Sequence, residues 1–235
     1  MKEILYEEQL YGPVKKYLIN KDFEVKAEIK NCDITALKDD TMIIVELKKV
    51  LNLDVIIQAA ERQKICDLVY IAVPRKERTV KRKRTNDIIN LLRRLGIGLF
   101  LVSINGKESL VQEVLMPSFK FKEKGGRVSY KKRKEVFKEF NERSGDYNIG
   151  GSVRKKILTA YKEKAAYIGV LLYEKGPLSI RELKELGANK EKTSNILQDN
   201  YYKWFFRVKR GVYDLTDEGK TEIESIKHTL YPKDM

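Results

Sequence analysis

Three side chains on two neighbouring extended segments could together support phosphodiester chemistry. Asp33 opens one of these segments, and thirteen residues later Glu46 and Lys48 stand near the end of the next. A turn at residues 38–40 would pair the segments as a hairpin, so that the two carboxylates converge. Two carboxylates side by side repel unless a cation lies between them. Mg²⁺ suits such a site because it commonly binds one or two carboxylates and keeps several waters.

The lysine adds a second chemical role. Lys48 follows Glu46 by two residues on the same strand, so both side chains are expected on the same side. A lysine beside a metal can hold the attacking water or stabilise charge that develops on a phosphate. The structural alternatives are a turn-capping role for Asp33 and a surface ion pair between Glu46 and Lys48, worth under about 1 kcal/mol.

The composition excludes several other kinds of site. The 235 residues include a single histidine, His228, which excludes His-based triads, His-metal nucleases and zinc fingers with paired Cys and His ligands. Cys32 and Cys66 are too few for a four-cysteine zinc site, and their number fits a reducing cytosol, so we expect a cytoplasmic protein. We expect no membrane association, because no apolar run approaches the roughly 18 residues of a membrane span.

The elements expected to position these residues follow the order α-β-β-β-α-β-α-β over residues 1–117. Alternation of this kind is typical of a mixed sheet flanked by helices. The predicted helices cover residues 4–19, 52–65 and 85–95, and the predicted strands cover residues 23–29, 33–37, 41–49, 68–74 and 97–103.

A second pattern begins at residue 153 and predicts a winged helix-turn-helix domain. Caps at Ser179 and Asn189 and a turn at Arg210-Gly211 fix its boundaries. Three helices and a two-stranded wing are expected over residues 153–174, 179–187, 189–202 and 205–216. Winged helices bind DNA but also serve as dimerisation or docking units, so the fold alone leaves both roles open.

We therefore expect two domains, 1–117 and 153–235, joined by a partly helical basic connector, 118–152. The connector ends in the glycine-rich sequence RSGDYNIGGS (143–152). We expect an ordered turn between the domains there, and the alternative is a backbone nest for a phosphate.

Positive charge is concentrated in two segments. The chain has a net charge of +14, and segments 75–94 and 119–143 contain nineteen basic and six acidic residues between them. Such clusters are typical of a nucleic-acid partner, although a solvated helix face or an acidic protein partner would also explain them. The candidate nucleic-acid contacts are Arg62, Lys81, Arg82, Lys83, Arg84, Lys131, Lys132, Arg133, Lys190, Lys192, Lys203, Lys209 and Arg210.

The chain resembles the PD-(D/E)XK, or restriction-endonuclease-like, phosphodiesterase superfamily. In particular, it is similar to a bacterial and archaeal family of predicted phosphodiesterases with a C-terminal winged helix. The similar stretches are residues 10–18, 23–59, 67–74, 143–152 and 203–216. The resemblance implies an α/β fold with a restriction-endonuclease-like αβββαβ core and a mixed sheet, followed by the winged helix-turn-helix domain.

The same resemblance implies roles for individual residues. Asp33 and Glu46 would be ligands of Mg²⁺ or Mn²⁺, and Lys48 would be the catalytic lysine. The superfamily motif has proline where this chain has Cys32, a departure that leaves the ligands in place.

Two further site residues are implied by position. A glutamate on the first helix often completes such sites, and we prefer Glu7 to Glu8 because Glu7 shares the apolar stripe of that helix. Gln58 matches a glutamine that some branches supply from the next helix, with Arg62 one turn later, although Gln58 could equally be a helix-surface residue.

These observations predict a metal-dependent nuclease that hydrolyses DNA or RNA, with DNA favoured, and that grips it with the winged helix and the basic segments. The first alternative is a non-catalytic DNA-binding regulator or repair-associated protein with a degenerate nuclease fold. The second is a protein that docks on an acidic partner. The oligomeric state stays open, including a homodimer.

Overall fold

The computed structural model describes residues 6–66, 68–75, 83–105, 108–118, 129–151 and 157–230. The chain divides into two compact units, residues 1–157 and 158–235. Across the described ranges, no helix is both long enough and apolar enough to cross a membrane.

The first unit is an α/β unit built on six strands. Its helices are α1 Glu8–Ile19, α2 Leu53–Arg62, α3 Lys83–Leu95 and α4 Tyr130–Glu142. Its strands are β1 Glu24–Ile29, β2 Cys32–Lys38, β3 Thr41–Leu47, β4 Leu68–Pro74, β5 Gly98–Asn105 and β6 Glu108–Leu115.

The six strands form one mixed sheet in the order β1-β2-β3-β4-β5-β6. The first three strands are antiparallel, β3, β4 and β5 are parallel, and β6 returns antiparallel to β5. A helix joins each parallel pair, as a parallel crossover requires. The predicted element order and mixed sheet are confirmed. Strand β6 is an additional element that the sequence prediction does not include.

Buried residues along the strands explain why helices cover both faces of this sheet. Val45 of β3 joins a core that contains Leu10 of α1. Its neighbour Ile44 joins a second core, which contains Val55 of α2 and residues of α3 and α4. Because successive strand side chains point to opposite faces, a strand that is apolar on both must be covered on both.

Helix α4 is fixed to the edge strand β1 by a buried lysine. The Lys26 Nζ donates hydrogen bonds to the carbonyl oxygens of Phe140, at 2.8 Å, and Arg143, at 3.0 Å. The same ammonium lies 4.6 Å from the centre of the Phe140 ring and 3.0 Å from Glu24 Oε1. A cation at the C-terminus of a helix satisfies carbonyls that lack partners within the helix. Residues 130–151, which the sequence places in a connector, therefore pack within the first unit.

The second unit combines four helices with a small sheet in the part of the chain that the structure describes. The helices are α5 Ala160–Lys175, α6 Ile180–Glu185, α7 Thr193–Asp199 and α8 Asp217–Leu230. The strands β7 Leu178–Ser179, β8 Phe205–Lys209 and β9 Val212–Leu215 form a sheet in the order β7-β9-β8. Ile223 of α8 packs closely against Gly169 of α5, where a side chain would clash.

Local hydrogen bonds set the boundaries of these elements. The capping box is confirmed, since Ser179 Oγ accepts from Glu182 N at 3.2 Å and Glu182 Oε2 accepts from Ser179 N at 2.7 Å. The third helix spans Thr193–Asp199, which is shorter at both ends than the predicted 189–202, and its last turn stops before Asn200. Asn200 is the reason, because it adopts a left-handed conformation and pairs through its side-chain amide with the backbone of Phe205.

Replacing Lys26 with methionine tests the attachment of α4. The Lys26→Met variant loses the cation that satisfies two carbonyl groups, so its free energy of unfolding should fall by about 2–4 kcal/mol. Urea denaturation of the full chain measures the change. The matched control is Lys38→Met, because the Lys38 ammonium makes its bonds at the surface, to Asp22 Oδ2 at 3.2 Å and to the carbonyl oxygen of Lys21 at 3.1 Å. Its loss should cost under about 1 kcal/mol. An equal loss of unfolding free energy in both variants would contradict the role of Lys26 in attaching α4.

Candidate active site

The register of the β2–β3 hairpin brings two carboxylates onto one part of the sheet. Ile34 pairs with Val45 in this antiparallel hairpin, so one residue further along Asp33 stands opposite Glu46. Opposite residues of an antiparallel pair share a face, with their Cβ atoms about 4.5–5.5 Å apart. Asp33 Oδ2 accepts a hydrogen bond from the backbone N–H of Leu47 at 2.8 Å, which fixes its side chain toward β3.

Glu46 is deeply buried and paired with a cation from α2. Its residue exposure is 2%. Arg62 Nε lies 2.6 Å from Glu46 Oε1, and the same guanidinium donates to the carbonyl oxygen of Asn31. A buried carboxylate needs such a partner, since an isolated charge in the interior is costly. Arg62, a candidate nucleic-acid contact, is thus bonded to a candidate metal ligand.

Lys48 extends from the end of β3 toward the start of α1. Its backbone N–H donates to the carbonyl of Ala72 at 3.0 Å, which continues the parallel pairing with β4. Its Nζ lies 3.3 Å from Glu7 Oε2, and Glu7 Oε1 accepts from the backbone N–H of Lys49 at 3.4 Å. Glu7, immediately before α1, therefore positions the lysine of the candidate site.

The electrostatics of Asp33 reflect both its burial and its neighbours. Burial, followed by the negative charge of Glu46, raises the pKa of Asp33 to about 7. The hydrogen bond from Leu47 and the charge of Lys48 act in the opposite direction and only partly compensate. Burial likewise raises the pKa of the adjacent Cys32 thiol to about 12, so this cysteine stays protonated.

The donor set fits a hard divalent cation. Asp33 and Glu46 each use one oxygen in the bonds above, and the second oxygen of each has no hydrogen-bond partner among the described residues. In the same part of the chain, no group of three or more His, Cys, Asp and Glu side chains converges as a metal cluster. Two carboxylates completed by water are a coordination that Mg²⁺ commonly adopts.

A segment that sequence reasoning did not assign to the site lies directly beside it. Residues 143–151 pack within the first unit, where Gly150 contacts the carbonyl of Asp33 and Gly151 lies against Glu7. The backbone N–H of Gly151 donates to Glu28 Oε1 at 3.1 Å, so that amide is already used and does not point to a phosphate nest. The glycine-rich sequence was visible, but the contacts with β2 and α1 are long-range and have no local signal.

The remaining candidates are distributed over the surface. Gln58 is exposed on α2, one turn before Arg62. Lys81 and Arg82 lie outside the described residues, as do the side chains of Lys83 and Arg84. The exposed candidates are Lys131 and Lys132 on α4 and Lys190, Lys203, Lys209 and Arg210 in the second unit, whereas Arg133 and Lys192 are half-buried.

The raised pKa of Asp33 predicts that the metal-free protein loses stability as the pH rises. Between about pH 4 and pH 7 the folded chain keeps a proton on Asp33 that the unfolded chain has released, so stability should fall as the pH rises through this range. The loss should reach up to about 4 kcal/mol. Asp33→Asn can still accept from Leu47 but carries no charge, so its stability should not show this fall.

Urea denaturation in the presence of a chelator, at pH 4.5 and pH 8, measures the difference. The control is Asp40→Asn, an exposed residue in the turn at the other end of the hairpin, which should follow the wild type. The same pH-dependent loss in Asp33→Asn would show that Asp33 is not its source.

Comparison with known proteins supports the class of fold and chemistry. A family model with the description Putative PD-(D/E)XK phosphodiesterase (DUF2161) matches residues 100–222, just over half of the chain. The matched span excludes Asp33, Glu46 and Lys48, so it supports the class without testing these residues. No curated protein and no solved structure matches the chain. The mixed six-stranded sheet with its helices is compatible with a PD-(D/E)XK core, and the chain belongs to the DUF2161 family.

Proposed function

We propose that the protein is a metal-dependent phosphodiesterase that hydrolyses nucleic acid, with Asp33 and Glu46 as the ligands of Mg²⁺ or Mn²⁺. The observation that carries this proposal is the pair of carboxylates placed opposite each other across β2 and β3, one of them buried and the other with a raised pKa. Membership of the DUF2161 family supports the same reaction class.

The side chains around the pair have distinct tasks in this proposal. A bound divalent ion would supply an activated water and positive charge for the phosphate. Lys48, fixed by its 3.3 Å contact with Glu7, stabilises negative charge that develops on the phosphate oxygens. Arg62 pairs with the buried Glu46 and fixes its orientation through the 2.6 Å contact. Gln58, which is exposed one turn before Arg62, would contact the substrate.

The second unit supports a role in holding the polynucleotide. Its order of helix, short strand, two helices and a β8–β9 hairpin agrees with a winged helix-turn-helix. Lys209 and Arg210 are exposed at the tip of the hairpin, and Lys190 and Lys203 are exposed around α7. Exposed cations on a small domain can neutralise the phosphates of a nucleic acid. We propose DNA as the preferred substrate.

One observation favours a second candidate function. Because Arg62 already compensates Glu46, the two carboxylates could persist without a metal ion, as in a DNA-binding protein whose nuclease fold serves only as a scaffold. Calorimetric titration with Mn²⁺ separates the two functions. Binding that is lost in Glu46→Gln supports the phosphodiesterase, and its absence in the wild type supports the scaffold.

Cleavage assays test the proposed activity directly. The purified chain with Mn²⁺ or Mg²⁺ should cut DNA or RNA, and Asp33→Ala should abolish cutting while binding of the polynucleotide persists. Lys48→Ala should lower the rate by about 10²–10³-fold, as for loss of one group that stabilises transition-state charge. Asp40→Ala, which removes an exposed carboxylate from the same hairpin, is the matched control. Full activity of Asp33→Ala would refute the assigned site.

Salt dependence tests the proposed nucleic-acid surface. Binding should weaken steeply as salt increases, and the double variant Lys209→Ala/Arg210→Ala should reduce the slope of log K against log salt by about one for each phosphate that these side chains neutralise. Fluorescence anisotropy with a labelled duplex measures the slope. Lys220→Ala on α8, where the lysine pairs with Asp217, should leave it unchanged. If no nucleic acid binds at low salt, the proposed partner is wrong.

A further inference from the structure

We infer that residues 143–151 form a positioning element of the candidate active site, anchored by Asp146 and seated by Gly150 against Asp33. This inference rests on the proposed function, since it concerns where the two metal-binding carboxylates lie. We call residues 143–151 the return segment, because they bring the chain back to β1 and α1 after the sheet is complete.

Asp146 is the first anchor of the return segment. Its Oδ2 accepts hydrogen bonds from the Tyr11 hydroxyl and the Lys15 ammonium of α1, and its Oδ1 accepts from the backbone N–H of Ala27 on β1 at 2.9 Å. The carboxylate side chain is only 11% exposed. A carboxylate that accepts three hydrogen bonds from two elements fixes those elements relative to each other.

Arg143 is the second anchor. Its guanidinium donates to the carbonyl oxygens of Ala27, at 2.8 Å, and Glu28, at 2.7 Å, and to Glu139 Oε1 at 3.1 Å. The N–H and the C=O of Ala27 are therefore both bonded to the return segment. These groups lie on the outer side of β1, an edge strand of the sheet, so the return segment covers an edge that would otherwise be unpaired.

Two glycines at the end of the return segment allow its backbone to lie directly against the candidate site. At Gly150, a Cβ would overlap the carbonyl oxygen of Asp33 and lie 3.0 Å from a ring carbon of Tyr11. Gly151 has a φ of +73°, and a Cβ there would lie 3.1 Å from the Cβ of Glu7. The return segment thus contacts the backbone of one candidate ligand and the glutamate that holds Lys48.

This arrangement has a mechanical consequence. Because the Gly150 backbone lies directly on the Asp33 carbonyl, any side chain at position 150 forces the return segment and the start of β2 apart. Metal ligands must be held within about 0.5 Å of their productive positions. Disturbing groups that orient ligands typically costs about 10–100-fold in metal affinity. The return segment has this orienting role for Asp33.

Glycine-to-alanine variants of the full chain test the inference. Mn²⁺ affinity, measured by calorimetry, should fall about 10–100-fold in Gly150→Ala. Gly12→Ala is the matched control, since Gly12 lies in α1 with no atom within 4 Å of the added methyl group. Gly98→Ala controls for instability, because Gly98 lies on β5, two strands away from β3, and its Cβ would clash with the ring of Tyr70 on β4. It should lower the Tm but keep the wild-type Mn²⁺ affinity.

Asp146→Asn is an independent test in case Gly150→Ala does not fold. Circular dichroism shows whether each variant is folded. This variant keeps the shape of the anchor but loses its charge, and its Mn²⁺ affinity should also fall. If the wild type binds no Mn²⁺, the proposed function itself fails. The other outcome is that the wild type binds Mn²⁺ and those of Gly150→Ala and Asp146→Asn that fold bind it with wild-type affinity. In that case the positioning role is overturned and the proposed function stands.

Discussion

The antiparallel register of the β2–β3 hairpin is the constraint on which the candidate site depends. With Ile34 opposite Val45, Asp33 must stand opposite Glu46, whatever their mutual repulsion costs. A shift of one residue would move one carboxylate to the other face of the sheet. The apolar residues of β3 prevent that shift, because they fill cores on both faces. Packing energy therefore keeps two like charges together.

The surrounding residues moderate this repulsion without removing it. Arg62 compensates Glu46, and Lys48 lies near enough to lower the pKa of Asp33, yet that pKa remains about 7. A site whose like charges repel in the free protein is strongly stabilised by a bound cation. The ion adds to the stability of the protein because it binds only the folded state. The same arrangement makes the free protein less stable than its core would permit, which is common where function competes with stability.

Local patterns in the sequence were enough to predict much of the fold and to nominate the acidic pair. The turn at residues 38–40 and the apolar run that follows it predicted the strands that carry Asp33 and Glu46. Capping residues predicted the start of the helix at Ser179. Strand β6 has the sequence ESLVQEVL, which does not alternate, and its residues are at most partly buried, so it gave a weak hydrophobic signal. The partners of Arg62 and the environment of Asp146 could not be predicted, because their contacts join residues far apart in the chain and depend on the completed sheet.

The buried attachments of α4 and the return segment have a consequence for how the first unit is assembled. Val136 and Phe140 belong to the same core as residues of β2 and β3, and Ala27 bonds to residues 116 and 119 positions downstream. A fragment that stops at residue 117 would lack part of its own interior and leave one strand open to association with other chains. Contacts of such long sequence separation also slow folding. During synthesis, the outer edge of β1 therefore stays uncovered until residues 130–151 have been made.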